Sequence, residues 1–156
     1  MAILLKEEGL YENARISATD FNEWVLNIAK EGIYSNEKIK EYTANYHVSG
    51  GIQDFSNYYH SGYGSIIIDE KIKKNIVWAN HNLVTDWVFN EMNLIICRNV
   101  LIYFTRDLQQ KVLSLFDESL IGNGIICLGL KETLRFNDIY HHYETINDTY
   151  TIYFNS

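Results

Sequence analysis

The stretch that decides the fold is NLIICRNVLIYF, residues 93–104. Residues 93–97 end in a continuous apolar run, which is typical of a strand buried on both faces of a parallel sheet. Residues 106–120 then repeat apolar side chains at helical spacing, and Thr105 stands at the predicted N-cap. The apolar face of this helix consists of Leu108, Val112, Leu115 and Phe116. A buried strand followed by an amphipathic helix is the building unit of α/β domains.

Strands and helices continue to alternate on both sides of this unit. The sequence predicts further strands at residues 15–20, 65–69, 75–79, 125–130, 140–146 and 150–154, and a helix at residues 22–31. A turn at Asn147 and Asp148 joins the last two strands and predicts a C-terminal antiparallel hairpin. Residues 35–60 carry helix-like pieces interrupted at residues 49–51, and they predict an irregular insertion. The whole pattern predicts an α/β domain with a mixed sheet.

Length and composition limit the classes of protein. The 156 residues suit a single domain, and 47% hydrophobic with 21% charged residues is typical of a folded globular chain. The net charge of -7 argues against nucleic acid or an anionic membrane as the main partner, because phosphate groups are bound by clustered Lys and Arg. No apolar run is long enough to predict membrane insertion. Cys97 and Cys127 lie within apolar runs, which favours free thiols in a reducing, cytoplasmic compartment.

Polar residues at predicted strand ends are the first candidates for a site, because open α/β sheets bind ligands at the carboxyl ends of their strands. Asp20 ends the strand at residues 15–20. An acid there can accept hydrogen bonds from ribose hydroxyls, although spacing alone favours a helix cap. Asn82 and Leu83 follow the strand at residues 75–79. An amide there can bind a purine edge through its donor and its acceptor, although Asn is at least as common in turns.

Arg98 and Asn99 directly follow the strand at residues 93–97 and have apolar neighbours. An unpaired guanidinium is costly to hold in such surroundings. An anionic ligand or a structural salt bridge would satisfy Arg98, and the sequence does not choose between them. The histidines show no spacing typical of metal ligands, so no metal site is predicted. They are His47, His60, His81, His141 and His142.

With CRNVLIYF at residues 97–104 and HNL at residues 81–83, the chain resembles the CheR-type chemotaxis-receptor methyltransferases. Members of this family use S-adenosylmethionine to methylate glutamate side chains of chemoreceptors. The resemblance implies a Rossmann-like, S-adenosylmethionine-dependent methyltransferase fold. Residues 14–35, ARISATDFNEWVLNIAKEGIYS, resemble the family's second strand and following helix, and residues 76–116 resemble its third and fourth strands with the next helix. LGLKETL, residues 128–134, resembles the end of its fifth strand.

The resemblance also implies which residues bind the cofactor, S-adenosylmethionine, or its product S-adenosylhomocysteine. Asp20 matches the acid that binds the cofactor ribose. Asn82 and Leu83 match the pair at the adenine end. Asn99 matches a position that lines the methyl-transfer site, and we assign it to cofactor binding.

Two further matches carry the chemistry. Arg98 and Tyr103 match positions at the family's methyl-transfer site, and we expect Arg98 to orient the incoming carboxylate while Tyr103 lies beside the methyl group. A glutamate carboxylate is already ionised at neutral pH, so no general base is needed. Catalysis then consists of alignment and the removal of water.

The chain also departs from the family pattern. In the family, a helical domain, a first strand and a glycine loop precede the matched part, and residues 1–5, MAILL, resemble the middle of the next helix. We therefore expect a fold truncated at its N-terminus, with unpaired strand edges at residues 15–19 and 93–97. A dimer or a separate N-terminal portion would complete the sheet. Residues 58–77 take the place of the family's small β-subdomain, but the short turn at residues 61–65 argues against docking of a receptor tail.

These expectations define three hypotheses for residues 1–156, taken as a single methyltransferase-like domain. The first is methylation of glutamates on cytoplasmic helices of chemoreceptors. The second is a catalytically silent fragment that acts as an interaction module in chemotaxis signalling. The third is a methyltransferase for a small carboxylate. The absent glycine loop favours the second, whereas the matched site residues favour descent from an active enzyme.

Overall fold

The computed structural model describes residues 1–88 and 91–156. Its contacts divide the chain into two compact units, Met1–His81 and Asn82–Ser156. Each unit has helices and strands of its own. Within the described residues, no helix has the length and apolar character needed to cross a membrane.

The first unit contains the predicted strand at residues 15–20 and the predicted helix at residues 22–31. Its helices are α1 (Ala2–Glu7), α2 (Glu23–Glu31), α3 (Ile39–Val48) and α4 (Glu70–Lys73). Its strands are β1 (Ile16–Asp20), β2 (Ile33–Ser35), β3 (Tyr59–Gly62), β4 (Ser65–Ile68) and β5 (Ile76–Asn80). The predicted positions of β1, α2, β4 and β5 are confirmed to within one or two residues.

Two separate sheets form in this unit. Strands β1 and β5 pair in parallel, from Ile16 opposite Ile76 to Asp20 opposite Asn80. Strands β2, β4 and β3 form an antiparallel sheet with β4 in the middle. The parallel pair therefore brings the carboxyl ends of β1 and β5 to one edge, which is where the sequence places Asp20.

The segment predicted as irregular is more regular than expected. It contains α3, whose partly buried side chains Ile39, Thr43 and Tyr46 recur at helical spacing. The helix ends at Val48, just before the interruption predicted at residues 49–51, where Gly50 has a φ of 96°.

The second unit is built around a four-stranded sheet. Its elements are β6 (Met92–Cys97), α5 (Arg106–Ser119), β7 (Leu120–Leu128), β8 (Tyr143–Asn147) and β9 (Ile152–Asn155). The strand order is β6, β7, β9, β8. Strands β6 and β7 are parallel, and β9 runs antiparallel to both β7 and β8. Strand β7 begins directly after α5, five residues before the predicted start at Ile125.

The core of this unit lies between α5 and one face of the sheet. The fully buried side chains in it include Val112, Phe116, Ile126, Leu128, Leu134 and Tyr153. In β6, Ile95 and Cys97 belong to this core, whereas Leu94 and Ile96 are 40% and 49% exposed. The prediction that this strand is buried on both faces is therefore wrong, because successive side chains of a strand point to opposite faces and the core covers one of them.

Strands β1 and β6, like the other outer strands of the three sheets, have one edge that no described strand pairs with. Among the described residues, β1 pairs with β5 alone and β6 pairs with β7 alone. Both strands at which the sequence predicts unpaired edges, residues 15–19 and 93–97, have one, but such edges are not confined to them, because β5 and β8 are outer strands too.

Candidate functional site

Asp20 ends β1 and has one oxygen that no described residue occupies. Its Oδ1 accepts a hydrogen bond from the Asn22 amide at 2.8 Å. The Asn22 side chain in turn accepts a hydrogen bond from the Trp24 amide at 3.0 Å, so Asn22 is the N-cap of α2. The interpretation of Asp20 as the cap is wrong, because the helix begins at Glu23, too far along the chain. The second carboxylate oxygen of Asp20 can therefore accept hydrogen bonds from ligand hydroxyls.

Aromatic and amide side chains surround the end of β1. Phe21 and Trp24 are 73% and 70% exposed. On the neighbouring strand, Asn80 lies opposite Asp20 and donates from its Nδ2 atom to the Phe21 carbonyl at 3.1 Å. A carboxylate acceptor beside exposed aromatic faces can hold a nucleoside, because the carboxylate binds the sugar hydroxyls and a ring stacks on the base.

Asn82 and Leu83 lie in the second unit, in a turn. The Asn82 Oδ1 atom accepts a hydrogen bond from the Val84 amide at 2.9 Å, and the Asn82 amide donates to Asp86 Oδ2 at 2.8 Å. Asn82 is therefore a turn residue, which is one of the two alternatives that the sequence left open. Its Oδ1 atom, the acceptor expected to bind a purine edge, already accepts a hydrogen bond from the chain itself. The Asn82 Nδ2 group remains as a donor. Leu83 packs against the core of the second unit, which fixes the position of this turn.

Arg98, Asn99 and Tyr103 lie on one short segment after β6, which we call the β6 loop (residues 98–103). Asn99 has a φ of 59°, in the left-handed region that Asn tolerates better than most residues. Arg98 is exposed, and it forms no ion pair with any described residue. A structural salt bridge is thus absent from this part of the structure, and the guanidinium can meet an anionic ligand. Tyr103 is 80% exposed.

Glu132 is the main feature of this region whose role the sequence did not predict. Its side chain is only 5% exposed, and its carboxylate accepts four backbone hydrogen bonds. Three come from the β6 loop, at 3.0 Å from Asn99, 2.9 Å from Val100 and 2.7 Å from Leu101. The fourth comes from Gly129 at 2.6 Å. The one available signal was an acid inside LGLKETL, because a charge buried after an apolar strand requires several donors.

Gly129 allows the close approach of the two loops that follow β6 and β7. A Cβ atom at this position would lie 2.5 Å from Glu132 Oε2 and 2.9 Å from the Asn99 amide nitrogen. Strands β6 and β7 are parallel, so both loops leave the same edge of the sheet. The Glu132 carboxylate therefore joins them at the edge where α/β sheets bind ligands.

Cys97, the last residue of β6, is a core side chain. Burial raises the pKa of its thiol to about 12, and the negative charge of Glu132 acts in the same direction. A thiol with that pKa stays protonated at neutral pH and is not a nucleophile. The described residues contain no group of three or more His, Cys, Asp and Glu side chains that could hold a metal ion.

Comparison with known proteins identifies the family. The family model for the S-adenosylmethionine-binding domain of CheR methyltransferases matches residues 1–151. The chain belongs to the CheR methyltransferase family. The resemblance seen in the sequence is thereby confirmed, and S-adenosylmethionine is the cofactor of this family's domain.

Individual relatives agree with the family assignment. The chain is 48% identical over 146 residues to a protein of Pseudomonas putida named putative methyltransferase Cher3. The matched region covers 94% of this chain and 54% of the relative. It is 29% identical over 130 residues to chemotaxis protein methyltransferase 1 of Vibrio cholerae, covering 83% of this chain and 45% of the relative. A chemotaxis protein methyltransferase of Listeria monocytogenes is 29% identical to the chain over 137 residues, and the match covers 88% of this chain and 49% of the relative. The chain spans about half the length of the curated relatives it matches.

The predicted site residues of this CheR family member fall in both units. Asp20 lies in the first unit, and the other predicted residues lie in the second. Within the second unit, Arg98, Asn99 and Tyr103 share the β6 loop, at the carboxyl end of a parallel strand. Asn82 and Leu83 stand in a separate turn before β6.

Proposed function

We propose that this chain is the catalytic portion of a protein-glutamate O-methyltransferase that acts on the cytoplasmic helices of chemoreceptors. The observation that carries the proposal is the family match over residues 1–151. The names of the relatives from Vibrio and Listeria, chemotaxis protein methyltransferases, support the choice of receptor substrates over a small carboxylate.

Each unit offers groups whose hydrogen-bonding chemistry suits a part of S-adenosylmethionine. The open Oδ2 atom of Asp20 suits the ribose hydroxyls, and the Asn82 Nδ2 donor with the Leu83 side chain suits the adenine end. Asn99, in its left-handed conformation, presents its side chain at the carboxyl end of β6. We assign these residues to cofactor binding.

The chemistry requires little from the protein beyond alignment. S-adenosylmethionine supplies an electrophilic methyl group and a neutral thioether leaving group. Arg98 orients the glutamate carboxylate by charge-assisted hydrogen bonds, and Tyr103 excludes water beside the transferred methyl group. No proton has to be removed, because the carboxylate is ionised at neutral pH.

A second candidate function is a catalytically silent interaction module. The observation that favours it is the pair of bare strand edges on β1 and β6, because an unpaired edge is a ready site for strand pairing with another chain. The two candidates differ in what they predict for cofactor binding by the isolated chain.

Calorimetric titration with S-adenosylhomocysteine, together with transfer of labelled methyl groups to receptor cytoplasmic fragments, tests both candidates. Micromolar binding and glutamate methylation support the methyltransferase, whereas no binding supports the silent module. For the proposed role of Arg98, we expect Arg98→Ala to lower methyl transfer about 10²-fold, while binding of S-adenosylhomocysteine changes little. Equal losses in both would contradict this role. Arg135→Ala is the matched control, since this exposed arginine pairs with Asp148 at 2.6 Å in the same unit.

A further inference from the structure

We propose that Glu132 is a positioning residue that sets the conformation of the β6 loop and thereby the placement of Arg98 and Asn99. The inference rests on the proposed function only where it concerns methyl transfer. Glu132 itself is too deeply buried to contact a receptor glutamate, being 5% exposed with its carboxylate engaged by four amides.

The backbone of the β6 loop forms a concave anion site that Glu132 fills. Asn99 is left-handed, with a φ of 59°, and Val100 is right-handed, with a φ of -113° and a ψ of -49°. Successive residues of opposite hand point their amides to one side and make such a site. The amides of Asn99, Val100 and Leu101 all donate to the carboxylate at 3.0 Å or less.

The charge of Glu132 is balanced by these amides, since no lysine or arginine among the described residues forms an ion pair with it. A buried carboxylate needs donors on both oxygens, and here each oxygen has two. The carboxylate and the loop therefore stabilise each other. Without the carboxylate, four amides would lose their acceptor.

Arg98 depends on this arrangement because its own side chain does not hold it in place. The guanidinium is exposed and has no ion pair within the described part of the chain. The backbone just after Arg98 is therefore what directs the side chain. Glu132 acts on Arg98 through that backbone, with no contact between the two side chains needed.

Hydrogen exchange of the whole chain tests the geometric half of the inference without reference to activity. In Glu132→Gln, the side chain has one acceptor oxygen, so in either orientation of the amide two backbone donors face an NH₂ group. We expect the amides of Asn99, Val100, Leu101 and Gly129 to exchange at least about tenfold faster, while the core amide of Ile126 keeps its rate. Tyr143→Phe, which removes a partly buried hydrogen bond to a different carboxylate, Asp117, in the same unit, should leave those four amides unchanged. Unchanged loop exchange in Glu132→Gln would overturn the inference.

A double-mutant cycle tests the functional half. We expect Glu132→Gln to lower methyl transfer about 10²-fold, because a small displacement of a positioned group has effects of that order. In a chain that already carries Arg98→Ala, Glu132→Gln should lower methyl transfer by no more than the factor by which it weakens binding of S-adenosylhomocysteine. Independent, additive losses would overturn the functional half. If Glu132→Gln does not fold, Gly129→Ala displaces the same carboxylate and replaces it in the cycle. If the wild-type chain transfers no methyl group, the proposed function fails, and the exchange measurement still decides the geometry.

Discussion

At the residue scale, the closeness of neighbouring atoms explains why position 129 is a glycine. Gly129 is buried between the Glu132 carboxylate and the backbone of Asn99, and its backbone does not have the left-handed conformation that favours glycine elsewhere. Its requirement is space. This separates it from Gly32 and Gly50, whose φ values of 68° and 96° are ones that L side chains rarely adopt.

Gly129→Ala should therefore lower the free energy of unfolding of the second unit by about 1–3 kcal/mol, the usual cost of adding a methyl group to a filled site. Urea denaturation measures the change. Gly122→Ala is the control, because a Cβ atom there meets nothing within 4 Å. We expect it to change the free energy of unfolding by only a few tenths of a kcal/mol. An equal effect of the two substitutions would contradict the argument.

The candidate site could be predicted only in part, because some of its contacts join residues that are far apart in the sequence. Asp20 ends a strand and Arg98 directly follows one, and strand ends are visible in the local pattern of apolar residues. The role of Glu132 could not be predicted in the same way. Three of its four donors lie 31 to 33 residues earlier, and they come together only when β6 and β7 pair.

At the element scale, the helix ends differ in how they are capped. Asn22 caps α2 with a hydrogen bond to Trp24, whereas Thr105 occupies the N-cap position of α5 as predicted but makes no side-chain cap bond. The composition at these positions predicts the helix start. It does not predict whether the cap bond forms, because that depends on the side-chain rotamer.

Asn22→Ala should destabilise α2 by about 1 kcal/mol, since the cap bond to Trp24 is lost. Hydrogen exchange of the α2 amides measures the effect. Asn22→Asp keeps an acceptor at the same place and should restore most of the protection. In α5, Thr105→Ala should change the exchange of the helix amides little, because no cap bond is lost, and a large loss of protection there would contradict the absence of that bond.

Helix α1 is held in the first unit by Glu7, which accepts hydrogen bonds from the hydroxyls of Tyr46 and of Tyr58, the latter at 2.7 Å. These bonds, with Tyr46 the larger contributor, lower the pKa of Glu7 below its ordinary value of 4.5. Burial and the same carboxylate raise the pKa of Tyr58. A carboxyl whose pKa is lower in the folded state stabilises the fold above its ordinary pKa, and this stability is lost as pH falls through the folded value.

We therefore expect the docking of α1 to weaken on acidification. The chemical shifts of the α1 amides, followed by NMR from about pH 6 to pH 3, should report the change around the pKa of Glu7. Glu7→Gln should flatten that pH dependence. Glu8→Gln, at the exposed neighbouring position, should leave it as in the wild type, and the same flattening in both variants would contradict the assignment to Glu7.

At the scale of the whole molecule, burial is distributed unevenly. Among the described residues, the buried core cluster consists of thirteen side chains, and all of them lie in the second unit. In the first unit, the buried hydrophobic residues among those described are Tyr11, Tyr58, Ile66 and Ile72, and neither α2 nor α3 contains a buried residue. The apolar patterns did not predict this difference, since they predict strands and a helix in both units. Burial depends on which elements cover each face.

This distribution predicts the order of protection in native-state hydrogen exchange. The amides of Val112, Ile126 and Leu128, whose side chains are fully buried, should exchange more slowly than those of α2 and α3 by at least about tenfold. Exchange followed by mass spectrometry over the whole chain measures both sets in one experiment. Equal protection in the two units would contradict the prediction.

The position of β9 has a consequence for synthesis on the ribosome. This strand follows β8 in the chain, yet it lies between β7 and β8 in the sheet, with Tyr153 opposite Ile126. As the chain is translated, β6, α5 and β7 emerge first, and the side of β7 that β9 covers stays bare until residue 155 has been added. Domains fold as units while they emerge, and a bare apolar strand is the part most prone to pair wrongly. The interval between the translation of β7 and that of β9 is therefore when a nascent-chain chaperone would protect this polypeptide most.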